Sequence, residues 1–153
     1  MSLRDYEEFL ESLNVHEVRY LVVGAHAVAF HARPRATKDL DVFIDPDPGN
    51  GERALAAIRA FLGGDLGLTA EDLVEPDTIV QLGVAPSRVD ILATLGHDLS
   101  FDTAWRSRAE GRFSDVPTQY ISLDDLIREK ESIAREQDLA DVKVLRLARD
   151  RRS

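Results

Sequence analysis

An α/β fold is predicted for this chain, on three observations. Short apolar runs rich in β-forming residues recur, at Tyr20-Leu21-Val22-Val23, Val42-Phe43-Ile44 and Val89-Asp90-Ile91-Leu92. Between them lie segments whose apolar residues return at helical spacing, such as Leu3, Tyr6, Phe9, Leu10 and Leu13. No repeat or linker-like stretch interrupts the alternation, so residues 1–153 are expected to form a single domain.

The opening stripe makes an amphipathic helix. A strand over 19–24 follows, and then a helix over 25–32, stopped because Pro34 disfavours helical backbone at Arg33. The next strand covers about 38–44. Asp45-Pro46-Asp47-Pro48-Gly49-Asn50 is a turn, with Asn50 the expected cap of a helix carrying Leu55, Ile58, Phe61 and Leu62 and ended by Gly63-Gly64. Residues 69–73 make a helical turn. Strands over 78–84 and 87–93 are joined so tightly at Ala85-Pro86 that they should pair antiparallel. Ser100 caps a short helix whose Trp105 packs on the core. A strand near 116–121 leads to Ser122, with Asp125 three residues on in a capping-box arrangement. Helices over 122–133 and about 136–149 close the chain, and the terminal Arg149, Arg151 and Arg152 are expected in water.

The chemistry lies at Lys38-Asp39-Leu40-Asp41-Val42-Phe43-Ile44. In a strand, side chains two apart share a face, so Asp39 and Asp41 point the same way. Two acids on one face of a buried strand repel and lose hydration, and so need a counter-charge. Mg²⁺ supplies one, because it prefers carboxylate oxygen and bridges to phosphates. Upstream, a strand ends at Gly24 and a helix begins at Ala25, which presents bare backbone N–H groups to an anion. Asp90, inside Arg88-Val89-Asp90-Ile91-Leu92, would add a third carboxylate from a neighbouring strand. His26 and His31 lie in an apolar helix, where packing is the expected role, and imidazole is a poor Mg²⁺ ligand.

Together these residues resemble the minimal nucleotidyltransferases of the DNA polymerase β-like superfamily. Their pattern is a glycine turn, a short helix, an acid pair and a later strand aspartate. The segment from Gly24 to His31, Arg35-Ala36-Thr37 before the acids, Gln81 to Asp90, Ile121 to Ile127, Lys130 and Arg135 to Asp141 are similar to the branch of AbiEii-type toxin nucleotidyltransferases. The likeness runs over roughly residues 18 to 146. It departs at Ala25, where the superfamily often has Ser or Gly; alanine keeps the backbone N–H but brings no hydroxyl to a triphosphate.

The resemblance implies a nucleotidyltransferase fold: a small mixed sheet carrying the acids, flanked by helices, with C-terminal helices. It implies transfer of NMP from an NTP to an acceptor hydroxyl, with release of pyrophosphate. Asp39, Asp41 and Asp90 would hold two Mg²⁺ ions, with Mn²⁺ as a substitute, and Asp90 could receive the acceptor's proton. Gly24 and Ala25 would hold the triphosphate through backbone amides. Arg35, Thr37, Lys130 and Arg135 would also contact the nucleotide. Arg35 and Thr37 are equally explained as pins for the loop, and Lys130, in Glu129-Lys130-Glu131, as a surface lysine. Arg135, Asp138 and Asp141 recur at three-residue spacing beside a Leu139, Val142 and Leu145 stripe, so Asp138 is expected to orient Arg135 toward phosphates or acceptor.

Composition narrows the partners. A net charge of −9 argues against a broad DNA- or RNA-binding face, leaving at most a basic patch at Arg33, Arg35 and Lys38. No apolar run approaches a membrane span, and the acidic, helical N-terminus is unlike a signal peptide. With no cysteine, disulfides and thiolate metal sites are excluded, and cytoplasm is the default compartment. Two other classes stay open: a catalytically silent module that binds nucleotide or metal, supported by Ala25, and a protein-binding half of a toxin–antitoxin pair.

Overall fold

The computed structural model describes residues 1–32, 34, 39–84, 87–96 and 99–152, without the Val84 side chain. Six strands form one mixed sheet in the order β3-β4-β2-β1-β6-β5. The strands are β1 (Tyr20–Val23), β2 (Leu40–Ile44), β3 (Ile79–Val84), β4 (Ser87–Leu92), β5 (Ala109–Phe113) and β6 (Val116–Tyr120). All four residues of β1 are buried, so both faces of the sheet's centre are covered. The helices are α1 (Leu3–Val15), α2 (Gly24–His31), α3 (Pro48–Leu62), α4 (Ala70–Val74), α5 (Phe101–Arg106), α6 (Leu123–Ile133) and α7 (Glu136–Arg152). None is long and apolar enough to cross a membrane among the described residues.

Local chemistry sets the helix starts. Ser2 and Asp5 form a reciprocal capping box on α1, and Thr69 and Asp72 form another on α4. α1 buries Tyr6, Phe9, Leu10 and Leu13 and packs on α3, with the Phe9 and Phe61 rings edge to face. α6 and α7 pack on each other, and both touch α2.

Several expectations need correction. Asn50 is not the cap of α3: Asp47 accepts from the Asn50 N–H and Pro48 opens the helix. Asn50 is fully buried instead, tying the Arg19 backbone to the Asp45 carbonyl. Ser122 caps α6, but Asp125 does not complete the box; its carboxylate turns inward and accepts from Ser107 Oγ at 2.8 Å. Strand β5 was not expected at all. It pairs antiparallel with β6, and Gly111 at its middle leaves room for the Phe30 ring, which stacks on Tyr120 at 3.9 Å. The arginine tail is tied down in part, since Arg152 donates to the His31 carbonyl at 2.8 Å and Arg149 lies 3.4 Å from Asp124. The Ala85-Pro86 connection lies outside the described residues, but β3 and β4 are antiparallel as expected.

Candidate functional site

Sheet register builds the site. β1 and β2 are antiparallel with Val23 opposite Asp41, so the chain leaves β1 at Gly24 directly beside the Asp41 side chain. β2 and β4 are parallel with Asp41 opposite Asp90, so the two carboxylates stand on adjacent strands at one level. β2 and β4 thus deliver Asp41 and Asp90 to the place where α2 begins.

Gly24 is required there twice over. Its φ of +66° lies in the left-handed region, and a Cβ at this position would collide with the Asp41 carboxylate. α2 starts at this glycine with no side-chain cap on its first turn. Gly24, Ala25, Asp41 and Asp90 line one cleft of about 450 Å³. Opposite them stand Lys130, Arg135, Gln137, Asp138 and Asp141 from α6 and α7, with Ile79, Leu92, Leu95, Leu126 and Ile133 as an apolar wall.

Among the described residues the site is short of positive charge. Asp41's carboxyl is pushed up to about 7, first by burial and then by the charges of Asp90 and Asp39. Tyr6, whose hydroxyl reaches the Arg88 carbonyl at 3.4 Å, feels the same field: burial first, then Asp39, Asp41 and Asp90 raise its phenol. Asp39 stands just before β2 and is not among the residues lining the cleft. Arg88 draws it aside, donating its backbone N–H to Asp39 Oδ1 at 3.2 Å. The Arg88 guanidinium also bonds Asp90, Nε to Oδ1 at 2.8 Å, and lies 3.6 Å from Asp39 Oδ2.

No protein-family model matches this chain, and no curated protein matches it.

Lys130 is no surface lysine. It is buried, 3.3 Å from Asp138 Oδ1 and 3.0 Å from Asp141 Oδ2. Arg135 grips Asp138 from the outer side at 2.7 Å through Nε, and its own backbone N–H donates to the same carboxylate at 3.2 Å. Burial pushes the Asp138 carboxyl up, but the hydrogen bonds from Arg135 and Lys130 outweigh it and hold the group below the usual range. The expected orientation of Arg135 by Asp138 is therefore present, and the Arg135 side chain remains 73% exposed at the cleft. The apolar stripe of α7 differs from expectation: Asp138 and Asp141 are buried with Val142 and Leu145, whereas Leu139 is 47% exposed.

His26 and His31 pack as expected. His26 lies against the Tyr6 and Phe113 rings, and His31 Nε2 meets the Ile121 carbonyl at 2.6 Å. Arg35 and Thr37, and with them the patch of Arg33, Arg35 and Lys38, lie outside the described residues.

The donors fit a hard divalent cation. Asp39, Asp41 and Asp90 offer only carboxylate oxygen, and among the described residues no cation fully offsets the burial and neighbouring charge that raise the Asp41 carboxyl. With Arg88 between Asp39 and Asp90, no group of three metal-ligating side chains is drawn together among the described residues. Sequence reasoning gave no place in the site to Arg88, Tyr6 or Gln137. Arg88 had a signal, since a basic residue two before Asp90 in a strand shares its face. Tyr6, on α1, had none.

Proposed function

We propose that this protein is a divalent-cation-dependent nucleotidyltransferase that moves a nucleoside monophosphate from an NTP to an acceptor hydroxyl. The observation that carries the proposal is Asp41 in register with Asp90, beside the Gly24 turn where α2 begins without a side-chain cap. An acid pair of this kind calls for a cation, and the helix start calls for an anion; a metal-bound triphosphate satisfies both.

The Gly24 and Ala25 N–H groups donate to phosphate oxygens and fix the chain of phosphates along the cleft. Asp39, Asp41 and Asp90 would hold two Mg²⁺ ions, with Mn²⁺ as a substitute. When bound, the ions neutralise phosphate charge and lower the pKa of the acceptor hydroxyl. The acceptor oxygen bonds to the α-phosphorus as the bond from that phosphorus to the β-phosphate oxygen breaks, releasing pyrophosphate. Asp90 takes the hydroxyl proton. Arg135, held in place by Asp138, grips phosphate with its planar fork, while Lys130 keeps Asp138 and Asp141 neutralised inside. The apolar wall, from Ile79 to Ile133, shelters the base or the acceptor.

Incubation with each α-phosphate-labelled NTP, Mg²⁺ and a cell extract tests the proposal. A labelled acceptor should form with wild type and not with Asp90→Ala. A second reading, a silent nucleotide-binding module, is favoured by Ala25 and by the hold of Arg88 on two of the three acids. NTP binding without any labelled acceptor would select it.

A further inference from the structure

On the nucleotidyltransferase reading above, we infer that Arg88 is a latch that occupies the cation's place between Asp39 and Asp90 until a metal-bound triphosphate takes over its charge. The geometry is specific. The guanidinium engages both Asp90 oxygens, Nε to Oδ1 at 2.8 Å and Nη2 to Oδ2 at 3.4 Å, and the same Nη2 lies 3.6 Å from Asp39 Oδ2. The Arg88 backbone N–H holds the other Asp39 oxygen at 3.2 Å. One side chain thus ties up two of the three acids, on the face of β4 that Asp90 shares.

A divalent ion joining Asp41 to Asp39 or Asp90 needs oxygens that Arg88 now holds. The ion must displace the guanidinium, and a displaced guanidinium beside a dication is repelled. A bare cation therefore binds against two costs. A cation that arrives on a triphosphate meets neither in full, because the phosphate oxygens accept the released fork in two places. Metal and triphosphate should consequently bind as a coupled pair, with Arg88 carrying the coupling. Arg88 is a positioning residue for the empty acids and a phosphate ligand for the loaded ones.

Mn²⁺ titration followed by electron paramagnetic resonance tests this, without nucleotide, on wild type, Arg88→Gln and Asp41→Asn. Arg88→Gln keeps a hydrogen-bond donor near Asp90 but removes the charge. Its Mn²⁺ affinity should rise at least fivefold over wild type, while its affinity for the Mg²⁺ complex of inorganic tripolyphosphate falls at least fivefold. An unchanged or weaker Mn²⁺ affinity in Arg88→Gln overturns the latch. Asp41→Asn separates the two ideas: Mn²⁺ binding that does not depend on Asp41 overturns the nucleotidyltransferase reading itself. Should Arg88→Gln fail to fold, wild type with ¹⁵N-labelled arginine decides. The Arg88 Nε–H signal should shift and exchange faster on adding the Mg²⁺–tripolyphosphate complex, and a signal that stays in place overturns the proposal.

Discussion

Asp41 on β2 and Asp90 on β4 are register partners across a parallel pair of strands, and the end of β1 brings Gly24 against the same Asp41 side chain. The Asp41 carboxylate sits in the field of Asp90, and burial removes the water that would screen it. Such a pairing costs stability in the isolated chain. It makes sense where a cation completes the site.

The cost is measurable through pH. In the fold Asp41 keeps its proton up to about 7, against an ordinary value of 3.8 in the unfolded chain. Between those values the folded state binds more protons, so this contribution is complete below pH 3.8 and is lost as pH rises through about 7. Asp41→Asn should match wild type at about pH 4 and exceed it at about pH 8, by roughly 1–2 kcal/mol after screening is allowed for. Urea melts at both pH values check this; a variant less stable than wild type at the higher pH counts against the repulsion.

Gly24→Ala should lose roughly 1–3 kcal/mol, because alanine is strained at this φ and its Cβ meets Asp41. Triphosphate binding should fall with it, since the turn can no longer present its amides beside the acid. Equal unfolding curves for variant and wild type would show that the turn tolerates the methyl group.

Lys130 and Arg135 should part company. Lys130→Met leaves Asp138 and Asp141 buried without their shared cation and should cost roughly 3–5 kcal/mol in a chemical melt. Arg135→Ala removes a mostly exposed partner and should cost less than about 1 kcal/mol. Turnover in Arg135→Ala should nevertheless fall at least tenfold, corresponding to about 1.4 kcal/mol of lost phosphate grip. Full activity in Arg135→Ala would remove it from the site.

His31 makes the fold sensitive to acid. Burial holds its imidazole below 6.5, with the Arg152 charge adding to the effect. The unfolded chain therefore binds more protons as pH drops below 6.5, and stability present above that value is lost as pH falls through the folded value. Arg152→Ala should soften this loss while giving up about 1 kcal/mol for its bond to the His31 carbonyl. Melting temperatures of both proteins from about pH 7 to 5 compare the two slopes; parallel slopes would mean that Arg152 does not act on His31.

The parts of the site that run along one strand were legible in the sequence. Leu40, Val42 and Ile44 alternate with Asp41 and Phe43, and Val89 and Ile91 flank Asp90, so strand type and acid direction follow from period two. What depended on distant partners was not. The pairing of Asp138 with Arg135 was legible, but the burial of Asp138 and Asp141 was not, because their shared cation, Lys130, comes from the preceding helix. Asn50 looked like a cap because its true partners, the Arg19 backbone and the Asp45 carbonyl, come from the β1 and β2 ends. Strand β5 was hidden by Ala109, Glu110 and Gly111, weak β-formers whose glycine is explained only by the Phe30 ring above it.

Thermal melting of wild type and Asp41→Asn with the Mg²⁺ complex of an NTP tests the cation site most directly. Only the fold gathers the acids, so bound ligand must raise the melting temperature by linkage. At a free concentration about tenfold above Kd, wild type should gain roughly 3–5 °C. Asp41→Asn, folded equally well, should gain almost nothing. Equal gains in the two proteins, or none in wild type at any concentration of the complex, would contradict an Asp41–Asp90 cation site.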